Sequence, residues 1–468
     1  MKLYKIYPVG LIVGYSILMS GCVTNKFEAP VINEKQLIRQ HSYTDTLNRN
    51  HLSPKFWFPD SKLVALIEMG ISNNLDMKIA LERLRIAQAN LTQSRLALFP
   101  TLNVDISAAD NKQSKAALNF PAGVNINTET QLYRLQASSS WEIDIWGKLG
   151  AAKRSVLASY LQTEAAKRAI QTQLVGQISQ HYFQLLALDE QLKITEATLN
   201  LRQKNEQTIK ALKEAAVVNG AAVVQSEANT LAVALGIPDL KRTIQETENS
   251  LSLLLGKPGM PIQRGVQKEL AIQLQLSQGI PSEWLKDRPD VAQSEYAFRV
   301  AFEETNVAKT YFYPSLTLGA NAGVSSLKLE NLFKQSLFYS LVGGVAQPII
   351  NRGQNKARLE TAKANQQIAF YDFQKVILTA GNEVSNALYA YQTAREKEEL
   401  RAKQIIALKK AVDFTEQLLE YSSATNYTDV LTSQQSLLNA ELTAVSDRLQ
   451  KQIALVSLYR ALGGGWEN

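Results

Sequence analysis

The chain is 468 residues long, 45% hydrophobic and 20% charged, the balance of a folded protein rather than a disordered or fibrous one. Three histidines (His41, His51, His181) and one cysteine, Cys22, are too few for most metal or thiol chemistry and exclude an internal disulfide. The net charge of +7 falls to +5 once residues 1–21, with Lys2 and Lys5 and no acid, are set aside; the remaining basic residues interleave with Glu and Asp, so no nucleic-acid partner is expected.

Residues 1–21 read as a targeting segment and stay outside the fold. Lys2 and Lys5 precede an apolar run over residues 11–18, too short to span a bilayer comfortably, and Met19-Ser20-Gly21-Cys22 closes it. Small residues before a cysteine resemble a bacterial lipobox. That implies a Cys22 carrying S-diacylglycerol and an N-acyl chain, and Val23 in place of Asp implies sorting to the outer membrane. An ordinary secretory signal with an incidental cysteine, or an uncleaved anchor, is the alternative. Residues 22–60, with Pro30, Pro54 and Pro59, read as an extended arm.

Asp60-Ser61 offers an N-cap before Leu63, Leu66 and Ile67. After a break at 70–74, a helix over 76–98 ends at Phe99-Pro100, because proline biases the preceding residue away from helical geometry. A strand over about 101–108 follows, with Leu102, Val104, Ile106 and Ala108 alternating against Thr101, Asn103, Asp105 and Ser107. Past a polar loop, a second strand over about 131–145 alternates again. Tyr133, Leu135, Ala137, Trp141, Ile143 and Ile145 lie on one side, and Arg134, Gln136, Ser138, Ser140, Glu142 and Asp144 on the other. Such a pattern suits a half-buried soluble sheet and a membrane barrel strand equally.

From 146 to 218 there is no proline, and Ile178, Leu185, Leu192 and Leu199 fall seven apart with Leu188 as partner. A helix of about 70 residues reaches roughly 100 Å, far beyond what a globular core requires. Its tip is expected at Val217-Val218-Asn219-Gly220, where Asn-Gly is a turn signal. The return helix is expected to be interrupted at Ile237-Pro238-Asp239 and to stop at Gly256-Lys257-Pro258-Gly259.

The chain then repeats itself. An ungapped offset of 214 places Asp76 on Asp290, Arg85 on Arg299, Pro100 on Pro314 and Leu102 on Leu316. The division is therefore a first repeat over 61–270 and a second over 271–468, with strands over about 315–326 and 336–349. A second rod runs to about Tyr421, and the last return helix carries Leu438, Leu442, Val445, Leu449, Ile453 and Val456. Four strands cannot close a barrel and lipid tolerates no open edge. A membrane reading therefore demands oligomerisation, without fixing the number of copies.

Ile280-Pro281-Ser282, Asp287-Arg288-Pro289-Asp290 and Phe312-Tyr313-Pro314-Ser315-Leu316-Thr317-Leu318 resemble the midsection of the TolC-like outer-membrane efflux family. The ending at 458–466, Leu-Tyr-Arg-Ala-Leu-Gly-Gly-Gly-Trp, resembles its lipidated subgroup, which serves RND-type (resistance–nodulation–division) pumps. The resemblance implies a mainly α fold with a small transmembrane β part, built as a tandem repeat of two strands plus a long helical hairpin. It also implies a homotrimer, a barrel in the outer membrane over a periplasmic helical tunnel, and two partners, a periplasmic adaptor and an inner-membrane RND transporter. Relatives often carry Tyr-x-x-Gly at the inner tip, then Asp-Val-Leu-Asp-Ala-Gln-Arg. Here Tyr421 begins Tyr-Ser-Ser-Ala, and Thr432 and Gln435 stand where Asp and Arg are usual. The expected gate is Tyr421, Asp429, Thr432 and Gln435 held by neutral hydrogen bonds, hence weakly dependent on salt; ordinary tip residues without a gating role are the alternative.

No catalytic chemistry is expected. Gly463-Gly464-Gly465 lacks the Lys-Ser/Thr of a phosphate loop, no histidines share metal spacing, and Met69, Met77 and Met260 do not cluster. No two carboxylates can be paired for acid–base work. The expected function is a passive efflux duct. A duct for type I protein secretion and a lipid-tethered periplasmic coiled-coil scaffold are the alternatives.

Overall fold

The structure, a computed structural model, describes residues 24–30, 37, 57–118, 127–266, 282–421 and 427–466. Cys22, the targeting segment and most of the arm lie outside these residues. The order is α1 (Ser61–Asn73), α2 (Leu75–Leu96), β1 (Thr101–Lys112), β2 (Glu129–Ile143), α3 (Lys148–Glu214), α4 (Gly220–Leu254), α5 (Pro289–Thr310), β3 (Ser315–Ser326), β4 (Leu337–Ala346), α6 (Gln354–Tyr421) and α7 (Tyr427–Ala461). Two compact units result. One draws on residues up to 30, 85–162 and 295–372 and holds the sheet; the other draws on 31–84, 163–294 and 373–468.

The rods are as long as the missing prolines predict, 67 residues in α3 and 68 in α6, with return helices of 35 each. Ile178 and Leu185 of the heptad seam are fully buried, while Leu192 and Leu199 are half-buried. The second unit centres on an aromatic knot in which Tyr459 packs 5.2 Å from both Trp57 and Phe58. Asp60 caps α1 as its sequence indicates, accepting from the Lys62 amide at 2.9 Å.

One expectation is corrected. Helix α4 is not interrupted: Pro238 sits inside it. An internal proline removes one hydrogen bond and crowds the carbonyl four residues back, costing about 3 kcal/mol. Farther out on either side, Thr230, Val233, Thr247 and Leu251 are buried and anchor the helix across that defect. The tip lies where the sequence places it, over residues 215–219. Asn219 caps α4, its side chain accepting from the Ala222 amide at 3.1 Å, and the left-handed residue is Ala216, at φ 60°. That backbone disfavours any residue with a Cβ, so Ala216→Gly is expected to stabilise the protein by about 1 kcal/mol. The check is a higher urea midpoint at unchanged slope.

The duplication extends to how each return helix ends. The amides of Gly256 and Lys257 donate to Leu253 and Ser252, and those of Gly463 and Gly464 to Arg460 and Tyr459, the same two-bond stop in each repeat. Gly256 and Gly463 both have positive φ, at 65° and 81°. Each stop is then tied to the start of its own repeat. Asn74 Nδ2 donates to the Leu254 carbonyl at 3.0 Å, and Arg288 Nη1 donates to the equivalent Ala461 carbonyl at 2.9 Å. Arg288 is buried and also donates to Asp290 at 2.7 Å and Glu383 at 2.6 Å. Burial works against the guanidinium charge and against the Asp290 carboxylate, but their mutual hydrogen bonds win. The pKa of Arg288 is raised, and Asp290 is held below the usual carboxylate range.

Candidate functional site

The four strands form one antiparallel sheet in the order β1-β2-β3-β4. The register lines up the alternation of β1, β2 and β3, and sets Leu337, Tyr339 and Leu341 of β4 on the same apolar face. One face carries the rows Val104–Ala137–Ala322–Tyr339 and Ile106–Leu135–Val324–Leu337; the other carries Asn103–Ser138–Asn321–Ser340. Two amphipathic patterns over 200 residues apart in sequence thus agree on which face is apolar.

That apolar face is uncovered. Leu102 is 75% exposed, Ile106 81% and Leu341 78%. Along β2 the apolar positions run from Ile143 up to Tyr133, and above Tyr133 the row Asp110–Gln131 is polar. Ten steps of about 3.3 Å each, tilted by roughly 40°, make a band about 25 Å tall, the height of an outer-membrane barrel's lipid face. Aromatic rings mark its helix end. Trp141 Nε1 donates to the Leu98 carbonyl at 3.0 Å, Trp146 Nε1 to the Pro314 carbonyl at 2.7 Å, and Trp146 packs 5.0 Å from Tyr313. No described helix is long and apolar enough to cross a membrane.

Strand ends differ from the sequence reading for local reasons. β1 continues to Lys112 because the hairpin ladder pairs Lys112 with Glu129, where no apolar alternation marks it. β2 stops at Ile143 instead of 145. The Asp144 carboxylate accepts from the Leu149 and Gly150 amides at 2.9 and 2.7 Å, which starts α3. β4 stops at Ala346 instead of 349, just before Gln347-Pro348, where proline has no amide to give a ladder.

Beneath the sheet, in the same unit, the arm is clamped. Asn306, fully buried, accepts from the Asn25 amide at 3.1 Å and donates to the Asn25 carbonyl at 3.0 Å. Its neighbour Glu303 receives a bidentate pair from Arg154, both bonds 2.9 Å, and Phe27 packs edge-on against Phe298 and Phe302. The stretch around Asn25 and Phe27 is therefore held against α5, which no pattern in the sequence marks.

At the helical tip, Ile209, Tyr427, Val430 and Leu431 form a small separate core. Tyr427 Oη donates to Ser226 Oγ at 2.8 Å, joining the two return helices, and the Thr415 and Ser433 hydroxyls meet at 2.8 Å. Of the gate residues read from the sequence, Tyr421 ends α6, with its side chain outside the described set. Asp429 lies in the first turn of α7, where the helix dipole favours a carboxylate. Thr432 turns back to the Thr428 carbonyl at 2.8 Å. Gln435 reaches across to α3, where Arg202 Nη2 donates to its Oε1 at 3.4 Å.

Arg202 is 2% exposed, and burial pushes its pKa down. The sequence reading missed it, although a signal existed: Leu188, Thr195, Arg202 and Ile209 fall seven apart and are all buried. A cation thus stands beside position 435 after all, supplied by α3. Tyr427→Phe, which removes one buried hydroxyl bond, is expected to weaken the tip by about 1 kcal/mol. Amide exchange should quicken at the start of α4 and α7 and stay unchanged in the sheet.

Comparison with known proteins agrees with this architecture. The family model for outer membrane efflux proteins matches residues 66–257 and 280–464, one match per repeat. The chain is 30% identical over 422 residues to the pyoverdine export outer membrane protein OpmQ of Pseudomonas putida, covering 88% of each chain. It is 27% identical to the probable outer membrane lipoprotein SilC of Salmonella typhimurium, covering 96% of this chain and 97% of that one. Among solved structures, the CusC channel superposes with a TM-score of 0.86 at 24% identity, covering 94% of this chain and 99% of that one.

Proposed function

This chain belongs to the outer membrane efflux protein family, and on that premise we propose that it is the channel of a tripartite RND-type efflux system. It is an outer-membrane efflux component. Three copies, each contributing its four strands, close one barrel; the rods continue the bore through the periplasm towards an adaptor and an RND transporter. The duct is passive, with no catalytic step and no cofactor beyond lipid on Cys22. One observation carries the reading: an uncovered apolar face aligned row by row across four strands, bounded by two open edges. Water does not favour such a face, lipid does, and lipid in turn forbids the edges.

Small molecules or ions are the cargo class. OpmQ is named for pyoverdine export and CusC for cation efflux, so one duct architecture serves different cargoes and the pump chooses among them. Protein from washed outer membranes, reconstituted in a planar bilayer, is expected to give discrete conductance steps. Folded protein that gives none would sink the reading. Cys22→Ser should abolish incorporation of labelled palmitate yet leave a protein that still needs detergent; release into buffer would indicate a tethered scaffold.

The closed tip rests on Tyr421, Asp429, Thr432 and Gln435, with Arg202 as the cation facing Gln435. Because Arg202 is buried, salt screens it little. Conductance is expected to follow bulk conductivity, and a steeper rise with ionic strength would count against this gate.

A further inference from the structure

The face of the sheet opposite the apolar one is lined mostly by small neutral side chains such as Ser138, Asn321 and Ser340. Among the strand residues that the register places on it there is one cation, Arg134, and one aromatic ring, Phe338. The two touch: the guanidinium lies over the ring, 5.8 Å from its centre. Arg134 stands on β2 opposite Ser325 of β3, whereas Phe338 stands on β4 opposite Gly323. The arginine thus crosses β3 to reach the ring, and Gly323 keeps the passage clear. No side chain can replace that glycine without a shift of the sheet. A Cβ there would strike the Leu135 carbonyl oxygen and stand 2.7 Å from Gln136 Cα.

The charge of Arg134 is otherwise unspent. Among the described residues it has no ion pair, and its Nε is buried without a hydrogen-bond partner. The two strand carboxylates on the same face are engaged elsewhere. Asp105 accepts from Ser138 Oγ at 3.3 Å, and Glu142 pairs with Lys148 at 2.9 Å. Arg134 and Phe338 are both half-buried, so part of the guanidinium and part of the ring remain accessible from this face. A guanidinium with no acceptor of its own is suited to a planar anion, which it can bind through two parallel N–H groups.

On the duct reading above, in which this face lines the bore, we infer that Arg134 and Phe338 form a contact step for cargo, one in each copy, and that its ligand class is the aromatic carboxylate. The carboxylate accepts from the guanidinium edge while the ligand's ring packs against the accessible part of Phe338. An aliphatic anion makes only the first contact and an aromatic cation only the second. Tyr133, beside Arg134, marks the upper limit of the apolar band, so the step lies at the end of the bore away from the rods. Cargo meets it on the way out. Asp105, one row nearer the helices on the same face, opposes an anion there. The step therefore delays an aromatic carboxylate without trapping it.

Fluorine NMR of the full-length protein in lipid nanodiscs, with empty discs as the blank, tests this with three probes. Para-fluorobenzoate has charge and ring, fluoroacetate has the charge alone, and para-fluorobenzylammonium has the ring with the opposite charge. The protein is expected to broaden the para-fluorobenzoate signal saturably, and the other two about threefold less or weaker still. Arg134→Gln and Phe338→Leu should each remove that excess, while Phe338→Tyr, which keeps a ring, should retain it. Equal broadening of benzoate and benzylammonium overturns the step without recourse to any variant, so a variant that fails to assemble does not shield it. An excess that survives Arg134→Gln in assembled protein overturns it as well. Conductance of the same preparation separates the two readings. Protein that conducts but shows no preference for the aromatic carboxylate loses the step and keeps the duct, whereas protein that neither conducts nor discriminates loses both.

Discussion

Ala137→Arg is expected to remove the membrane-inserted form of the protein, while Ser138→Arg, one residue along the same strand, leaves it in place. Ala137 sits mid-band on the apolar face, between Val104 and Ala322. An arginine facing lipid near the bilayer midplane costs about 2–4 kcal/mol. In the proposed ring every copy bears that cost, so the assembled barrel loses several times as much. Ser138 faces the other way, where its hydroxyl already donates to Asp105 Oδ2 at 3.3 Å, so an arginine there finds water and a carboxylate. Heat-modifiable migration of detergent-extracted protein is the readout. Equal loss in both variants would mean that the two faces are not separated as lipid and bore, and equal survival would mean that this face never meets lipid.

Arg288→Ala is expected to cost about 3 kcal/mol in urea unfolding of the detergent-solubilised protein, as removing one partner of a buried ion pair generally does. The lower part of the usual range applies because Asp290 and Glu383 are 44% and 36% exposed and recover some hydration. The equivalent Asn74→Ala breaks a neutral contact in the first repeat and should cost only about 1–2 kcal/mol. The comparison is informative because both residues hold the last turn of a return helix by the same carbonyl. Equal effects would show that burial of the joint, rather than charge, sets its strength. An Arg288→Ala midpoint indistinguishable from the parent would remove this network from any account of stability.

The parts of the fold legible in the sequence are those written in periodicity. Alternation with a period of two marked three of the strands and the fourth less cleanly, spacing of seven marked the rods, and the copy at Pro100 and Pro314 exposed the duplication. What alternation could not say is which of its two meanings applied. Only the register, which sets Leu135 beside Val324 and Leu337, shows one continuous uncovered face. Helix continuity at Pro238 was illegible because tertiary packing overrides a local penalty of a few kcal/mol. The left-handed residue fell on Ala216 although glycine stood four residues away, since the hydrogen-bonded closure of α3 decides where the chain turns. Arg202 was hidden for another reason. A charged residue on a helix seam is ordinarily read as solvated, and the spacing of seven that it shares with Leu188, Thr195 and Ile209 gains its meaning only from the burial of all four.

The open edges of the sheet have a consequence for the protein's first moments after export. Until its partners arrive, each newly secreted chain offers a twelve-residue strand with bare backbone beside a greasy surface, the combination from which aggregates are nucleated. Many proteins blunt such borders with prolines or inward charges; in the barrel proposed above β1 and β4 cannot, because their backbone groups must stay free to pair with another copy. Gly343-Gly344 in β4 lowers the appetite of that border for casual pairing without blocking the intended one. Supply must therefore stay in step with insertion, and a cell that makes the chain faster than it can seat it should accumulate insoluble material instead of more channels.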